Sequence, residues 1–183
     1  MRALIAASRR PDFPAEIVLV VSDQDRAAGL EAAREAGIEA ETIDFRSFSS
    51  KMAFEAALEA RLRSSDVRLV CLAGFMRVLS AAFVERWQGR ILNIHPSLLP
   101  DLRGLRTHER ALAEGRLEHG CTVHYVSAEV DAGPMIAQAR VPVLPGDSPE
   151  TLAARVLVEE HRIYPEALEA VAQSLQATEP EGG

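Results

Sequence analysis

Lysine is nearly missing from this chain: Lys51 is the only one among 20 basic residues. The shortage is a composition bias toward arginine and carries little meaning by itself. Clustered basic charge is missing too. The net charge is −7, with the acids spread along helix-like stretches, which excludes the basic footprint of a nucleic-acid binder. A small anionic substrate is not excluded, since a local arginine or a helix N-terminus holds phosphate even on an acidic protein. Cysteine is scarce: Cys71 and Cys121 stand far apart without CxxC or CxxH spacing, so they read as buried free thiols. His108, His119, His124 and His161 share no metal-ligand spacing, and no metal is expected. No apolar run reaches membrane length. The opening "MRALIAASRRPDF" has too short an apolar stretch, interrupted by Arg9 and Arg10, for a secretory signal. A cytoplasmic protein with no membrane partner is expected.

What is present is a globular composition, 48% apolar over 183 residues, a length that usually folds around one core. "EIVLVVSD" (16–23) reads as a strand buried on both faces. In "RAAGLEAAREAG", Ala27, Leu30, Ala33 and Ala36 recur at helical spacing, and Gly37 is a C-cap candidate. "IEAETID" (38–44) is a second strand. Phe54, Ala57, Leu58 and Leu62 mark a helix over 50–63, and "VRLVCLAG" (67–74), "SAAFVERW" and "RILNI" (90–94) continue the alternation. This predicts an α/β fold: an open, mostly parallel sheet with helices on both faces. "GCTVHYVS" (120–127) and "MIAQARVPV" (135–143) alternate more clearly, the latter at an edge because of Pro142. Ser148 and Pro149 read as N-cap and first residue of a last helix, which Pro165 should break or kink near Tyr164. One domain over 1–176 is expected, followed by a disordered tail, "ATEPEGG".

Ligands of open α/β sheets bind beyond the carboxyl ends of the strands, so polar residues there carry most weight. In "ILNIHPSLLP", Asn93 and His95 fall at such an end, two apart and therefore on one side. An amide donor and an imidazole converging on one point suit acyl transfer, polarising a carbonyl and moving a proton. The competing reading makes both of them loop caps with backbone partners. Asp131 in "VDAGP" is either an active-site acid or a turn former. Brought near His95, it would favour the imidazolium. In "AGFMRVLS", Gly74 would let backbone approach a ligand, and Phe75, Met76, Val78 and Leu79 would wall an apolar slot or simply pack in the core. Trp87 reads as a packing residue.

The segments "LAGFMRVLS", "ILNIHPSLLP", "GLRTHERAL", "HGCTVHYV", "VDAGPMIAQARVPV" and "EEHRIYPEAL" occur in an order and spacing that resembles the phosphoribosylglycinamide formyltransferases. The resemblance runs from about Ala3 to Leu168. It implies a Rossmann-like formyltransferase fold with a C-terminal antiparallel edge. The implied reaction is formyl transfer from 10-formyltetrahydrofolate to the amine of 5′-phosphoribosylglycinamide in purine biosynthesis. The partners would be these small molecules only, and the enzyme a monomer or homodimer. By resemblance Asn93 and His95 hold the tetrahedral oxyanion, His95 as proton donor or electrostatic stabiliser. Asp131 holds and charges that histidine. Met76, Arg77, Val78 and Leu79 line the folate pocket, with Asn93 also on the cofactor side. Lys51 falls at a basic position linked to the folate, and Glu160 at an acidic position near the glycinamide.

Two departures stand out. Asp101 replaces a common basic residue and Arg106 a common histidine. The pair Arg103-Gly104 also occurs in relatives that act on methionyl-tRNA, though "HGCTVHYV" and the lack of a tRNA-binding domain favour the glycinamide enzyme. More seriously, the family begins with a strand and a Gly-Ser-Asn loop that binds the substrate phosphate. Here "MRALIAA" already matches the inside of the following helix, and the first glycine is Gly29. The chain is therefore expected to lack that strand and loop, and the leading explanation is a natural protein extending further upstream. The alternatives are an inactive or weakly active truncated folate-binding relative, and formyltetrahydrofolate deformylase.

Overall fold

Helix and strand alternate from the first residues of the computed structural model, which describes residues 1–178. The chain divides after Leu69 into two compact units. In the first, helix α1 (Arg2–Ser8) precedes strand β1 (Leu19–Ser22), helix α2 (Ala28–Glu35), strand β2 (Glu39–Thr42) and helix α3 (Lys51–Ser64). β1 and β2 pair in parallel, Leu19 opposite Glu39. Val20, Leu30 and Ala33 form a buried cluster, with Ile17, Ile38 and Ala40 packed against it. Gly37 ends α2 as expected: at φ 73° it lets its own N–H reach Arg34 O and that of Ile38 reach Ala33 O, which satisfies carbonyls the helix leaves open. The Ser50 hydroxyl accepts from Ala53 N–H and starts α3.

In the second unit, strand β3 (Val70–Leu72), helix α4 (Ala81–Arg86), strand β4 (Ile91–His95), helix α5 (Thr107–Ala113), strands β5 (Glu118–Tyr125) and β6 (Met135–Pro142) and helix α6 (Pro149–Thr178) follow in order. The strands lie in the order β3-β4-β5-β6. β3 and β4 are parallel, whereas β5 runs antiparallel to both β4 and β6. The α/β class and the antiparallel C-terminal edge are thus both present. Phe83, Ile91, Leu92, Val123, Leu152 and Val156 are buried in this unit, and α6 packs on β5 and β6.

Pro165 does not break α6, one of the two outcomes expected from the sequence; the helix runs on to Thr178. Proline costs a helix one internal N–H bond and a steric clash. Here the buried face continues on both sides of it through Ile163, Tyr164, Ala167 and Leu168. The Tyr164 hydroxyl also sits within bonding distance of Leu72 O (2.9 Å) and Leu92 O (3.1 Å). Tertiary anchoring outweighs the local penalty. Ala177 and Thr178, assigned to the tail on sequence, belong to α6; the rest of the tail lies outside the described residues. No helix among the described residues is long and apolar enough to cross a membrane.

Candidate active site

Strand alternation puts Asn93 and His95 on one face at the carboxyl end of β4. Across the antiparallel pair Asn93 stands opposite His124, and His95 opposite Thr122; Thr122 in turn stands opposite Gln138 of β6. Directly opposed residues share a face of the sheet, so these five polar side chains form one patch.

Each has a defined partner. His95, buried, places Nδ1 3.3 Å from Asp131 Oδ2 and Nε2 3.0 Å from Leu102 O. Leu102 O can only accept, so Nε2 carries a hydrogen, while the Nδ1 edge faces the Asp131 carboxylate as a charge contact rather than a hydrogen bond. His124 Nε2 lies 3.3 Å from Asn93 Nδ2, and its Nδ1 lies 2.9 Å from Tyr125 O. Burial pushes the His124 imidazole down, against the opposing pull of the Tyr125 carbonyl and Asp131. The Thr122 hydroxyl donates to Ser97 O (2.7 Å) and accepts from Leu99 N–H (3.1 Å). Gln138 Nε2 reaches Leu99 O as well. The Pro-bounded loop after His95 is therefore pinned from beneath by β5 and β6.

Asp131 arrives on a tight loop between β5 and β6. Its backbone is left-handed, φ 52°, a region that aspartate tolerates better than most residues. The loop lies so close to β5 that a Cβ on Gly133 would stand 1.8 Å from Tyr125 O, so only glycine fits. The Asp131 carboxylate accepts from Gly104 N–H at 2.9 Å, which ties in the loop after Pro100. Arg103 and Glu129 pair between the same two loops at 2.6 Å. The expected meeting of Asp131 with His95 is what the fold produces.

The other expected residues fall on several elements. Leu72 is in register with Asn93, so the chain leaving β3 toward Met76, Arg77, Val78 and Leu79 emerges beside Asn93. Met76 and Val78 are exposed and Leu79 is buried. Glu160 is on α6, partly buried, and burial pushes its carboxyl up. Its charge acts on Cys121, which strand alternation turns to the side of β5 away from Thr122 and His124. Lys51 belongs to the first unit, at the start of α3, with its ammonium 4.0 Å from Glu55. Cys71 and Cys121 are free thiols, both pushed up to about 12 by burial.

Sequence reasoning misses His124, Thr122 and Gln138. A signal exists for the first two: they alternate in "CTVHY" with the same period as Asn93 and His95 do in β4. His119 and His108 form a separate pair, 3.1 Å between ring nitrogens. Burial pushes His119 down to about 4 and lowers His108 as well. Among the described residues no group of three or more His, Cys, Asp or Glu side chains is arranged to hold a metal ion.

Comparison with known proteins bears on the family and the fold. A formyl transferase profile matches residues 1–168. The phosphoribosylglycinamide formyltransferase of Escherichia coli (strain K12) is 46% identical over 165 residues, covering 90% of this chain and 78% of that one. The trifunctional purine biosynthetic protein adenosine-3 of Gallus gallus is 49% identical over 172 residues, but the chain spans only 17% of its length. Among solved structures, phosphoribosylglycinamide formyltransferase from Brucella melitensis superposes with a TM-score of 0.90 at 54% identity, covering 94% of this chain and 88% of that one. Glycinamide ribonucleotide transformylase 1 from Symbiobacterium toebii gives 0.92 at 48%, covering 94% and 82%. With the profile spanning nearly the whole described chain and the fold matched at such identity, this protein belongs to the formyl transferase family.

Proposed function

We propose that this chain transfers the formyl group of 10-formyltetrahydrofolate to the amine of 5′-phosphoribosylglycinamide, in the cytoplasm. The observation that carries the reading is the convergence of Asn93, His95 and Asp131 at one strand end. When the amine attacks the formyl carbon, negative charge develops on the formyl oxygen. Groups fixed in advance to receive that charge supply most of the rate. Asn93 offers an amide N–H. His95 has Nε2 committed to Leu102 O, so its Nδ1 edge, beside Asp131, serves the oxygen. The Asp131 carboxylate faces that ring and stabilises the positive charge it carries when protonated. The chain that leaves β3 beside Asn93 leads to the exposed Met76 and Val78, apolar side chains suited to a flat heterocycle of the formyl donor.

The test is a turnover assay of the purified chain with both small molecules, following the folate product by absorbance and the acceptor by mass. Formylated acceptor is expected, and Asn93→Ala or His95→Ala should lower turnover by about 10²–10³-fold. Formate release that needs no acceptor would favour the hydrolytic reading. Neither product from a chain that binds the folate would overturn the proposal.

A further inference from the structure

We propose that His124 is a positioning residue for formyl transfer, fixing the orientation of the Asn93 carboxamide so that its N–H faces the reacting oxygen. The inference rests on the reading of Asn93 as an oxyanion donor. A carboxamide has two orientations of nearly equal shape, one presenting a donor and the other an acceptor. Only the first stabilises developing negative charge. The second aims lone pairs at it.

The partners of His124 decide between them. Tyr125 O, 2.9 Å from His124 Nδ1, can only accept, so Nδ1 carries a hydrogen. Burial keeps the ring neutral, which leaves a lone pair on Nε2. The Asn93 atom 3.3 Å from Nε2 must therefore be the donor nitrogen, with one of its two hydrogens engaged and the other left for substrate. Asp131 Oδ1 is 3.7 Å from the same Nε2, too far for a hydrogen bond. His124 is almost wholly buried and sits directly across from Asn93 in the strand pair, so neither ring nor amide is placed by chance. The chain of reference runs from the Tyr125 backbone through the His124 tautomer to the amide plane of Asn93.

Two substitutions separate this role from packing. Gln at position 124 can place an amide oxygen where Nε2 stands, whereas Leu removes the acceptor. His124→Leu should lower kcat about tenfold or more while KM for the formyl donor moves less than about threefold, and His124→Gln should recover most of the loss. In an Asn93→Ala background His124→Leu should cost nothing further, because residues acting as one unit are not additive. An equal loss in that background, or a Gln variant as impaired as Leu, would overturn the proposal. NMR of the ¹⁵N-labelled wild-type chain reads the same relationship without turnover. The expected result is a protonated Nδ1, an unprotonated Nε2 on His124, and a scalar coupling from that Nε2 to Asn93 Nδ2. A protonated Nε2 would overturn the positioning role. A wild-type chain without transfer activity would overturn the functional reading, and the NMR result would still decide the orientation of Asn93.

Discussion

One oxygen of Asp131 serves two partners: Oδ2 accepts from Gly104 N–H at 2.9 Å and faces His95 Nδ1 at 3.3 Å. The loop that follows Pro100 and the His95 imidazole thus meet at a single atom. Asp131→Asn keeps an acceptor for Gly104 and removes the charge from His95. Formyl transfer should fall by about 10²-fold or more, with the melting temperature within a few degrees of wild type. Near-normal turnover in this variant would refute the role of the carboxylate.

Gly133 should tolerate no side chain. An added Cβ would lie 1.8 Å from Tyr125 O, which forces the loop carrying Asp131 off β5. Gly133→Ala should cost about 1–3 kcal/mol, the range for overpacking, and should lower turnover because Asp131 moves with the loop. Urea denaturation and steady-state kinetics on the same sample check both effects.

Removing the Tyr164 hydroxyl deprives Leu72 O and Leu92 O of their buried donor. Tyr164→Phe should destabilise by about 1–3 kcal/mol. Transfer activity well below the melting temperature should change little, since the Tyr164 hydroxyl bonds the backbone carbonyls of Leu72 and Leu92 and not the side chains of Asn93, His95 or Asp131. Thermal unfolding followed by circular dichroism measures the shift.

Stability should decline as the medium becomes acidic through the histidine range. Burial holds His108, His119 and His124 below their ordinary value of 6.5, His119 at about 4. Between those values the unfolded chain binds protons that the folded one refuses. Unfolding then becomes easier by about 1.4 kcal/mol per pH unit for each fully differing group. Urea midpoints should drop from pH 7 to pH 5, and His119→Gln should show a shallower decline. An unchanged slope in that variant would show that His119 does not contribute.

Much of the fold and of the candidate site is legible in the amino-acid sequence. Asn93 and His95 announce themselves by period-two spacing at the end of an apolar run, and Gly37 by its place after a helical pattern. Pro165 misleads because local propensity argues for a break, while the anchoring of Tyr164 is a tertiary effect no neighbouring residue reveals. His124 escapes notice because a histidine inside an alternating strand looks like core until the opposite strand and its register are known. The carbonyl of Leu102 has no sequence signal at all. Every residue carries a carbonyl, and only the left-handed turn at Leu102, φ 54°, is distinctive there.

All the groups that hold the amide and the imidazole lie between Asn93 and Asp131, on one strand pair and its flanking loops. The candidate site is thus carried by one short stretch of the amino-acid sequence. A substitution in that stretch that shifts either strand therefore reaches the amide and the imidazole together, because Asn93 and His95 share the same strand pair with His124 and Thr122.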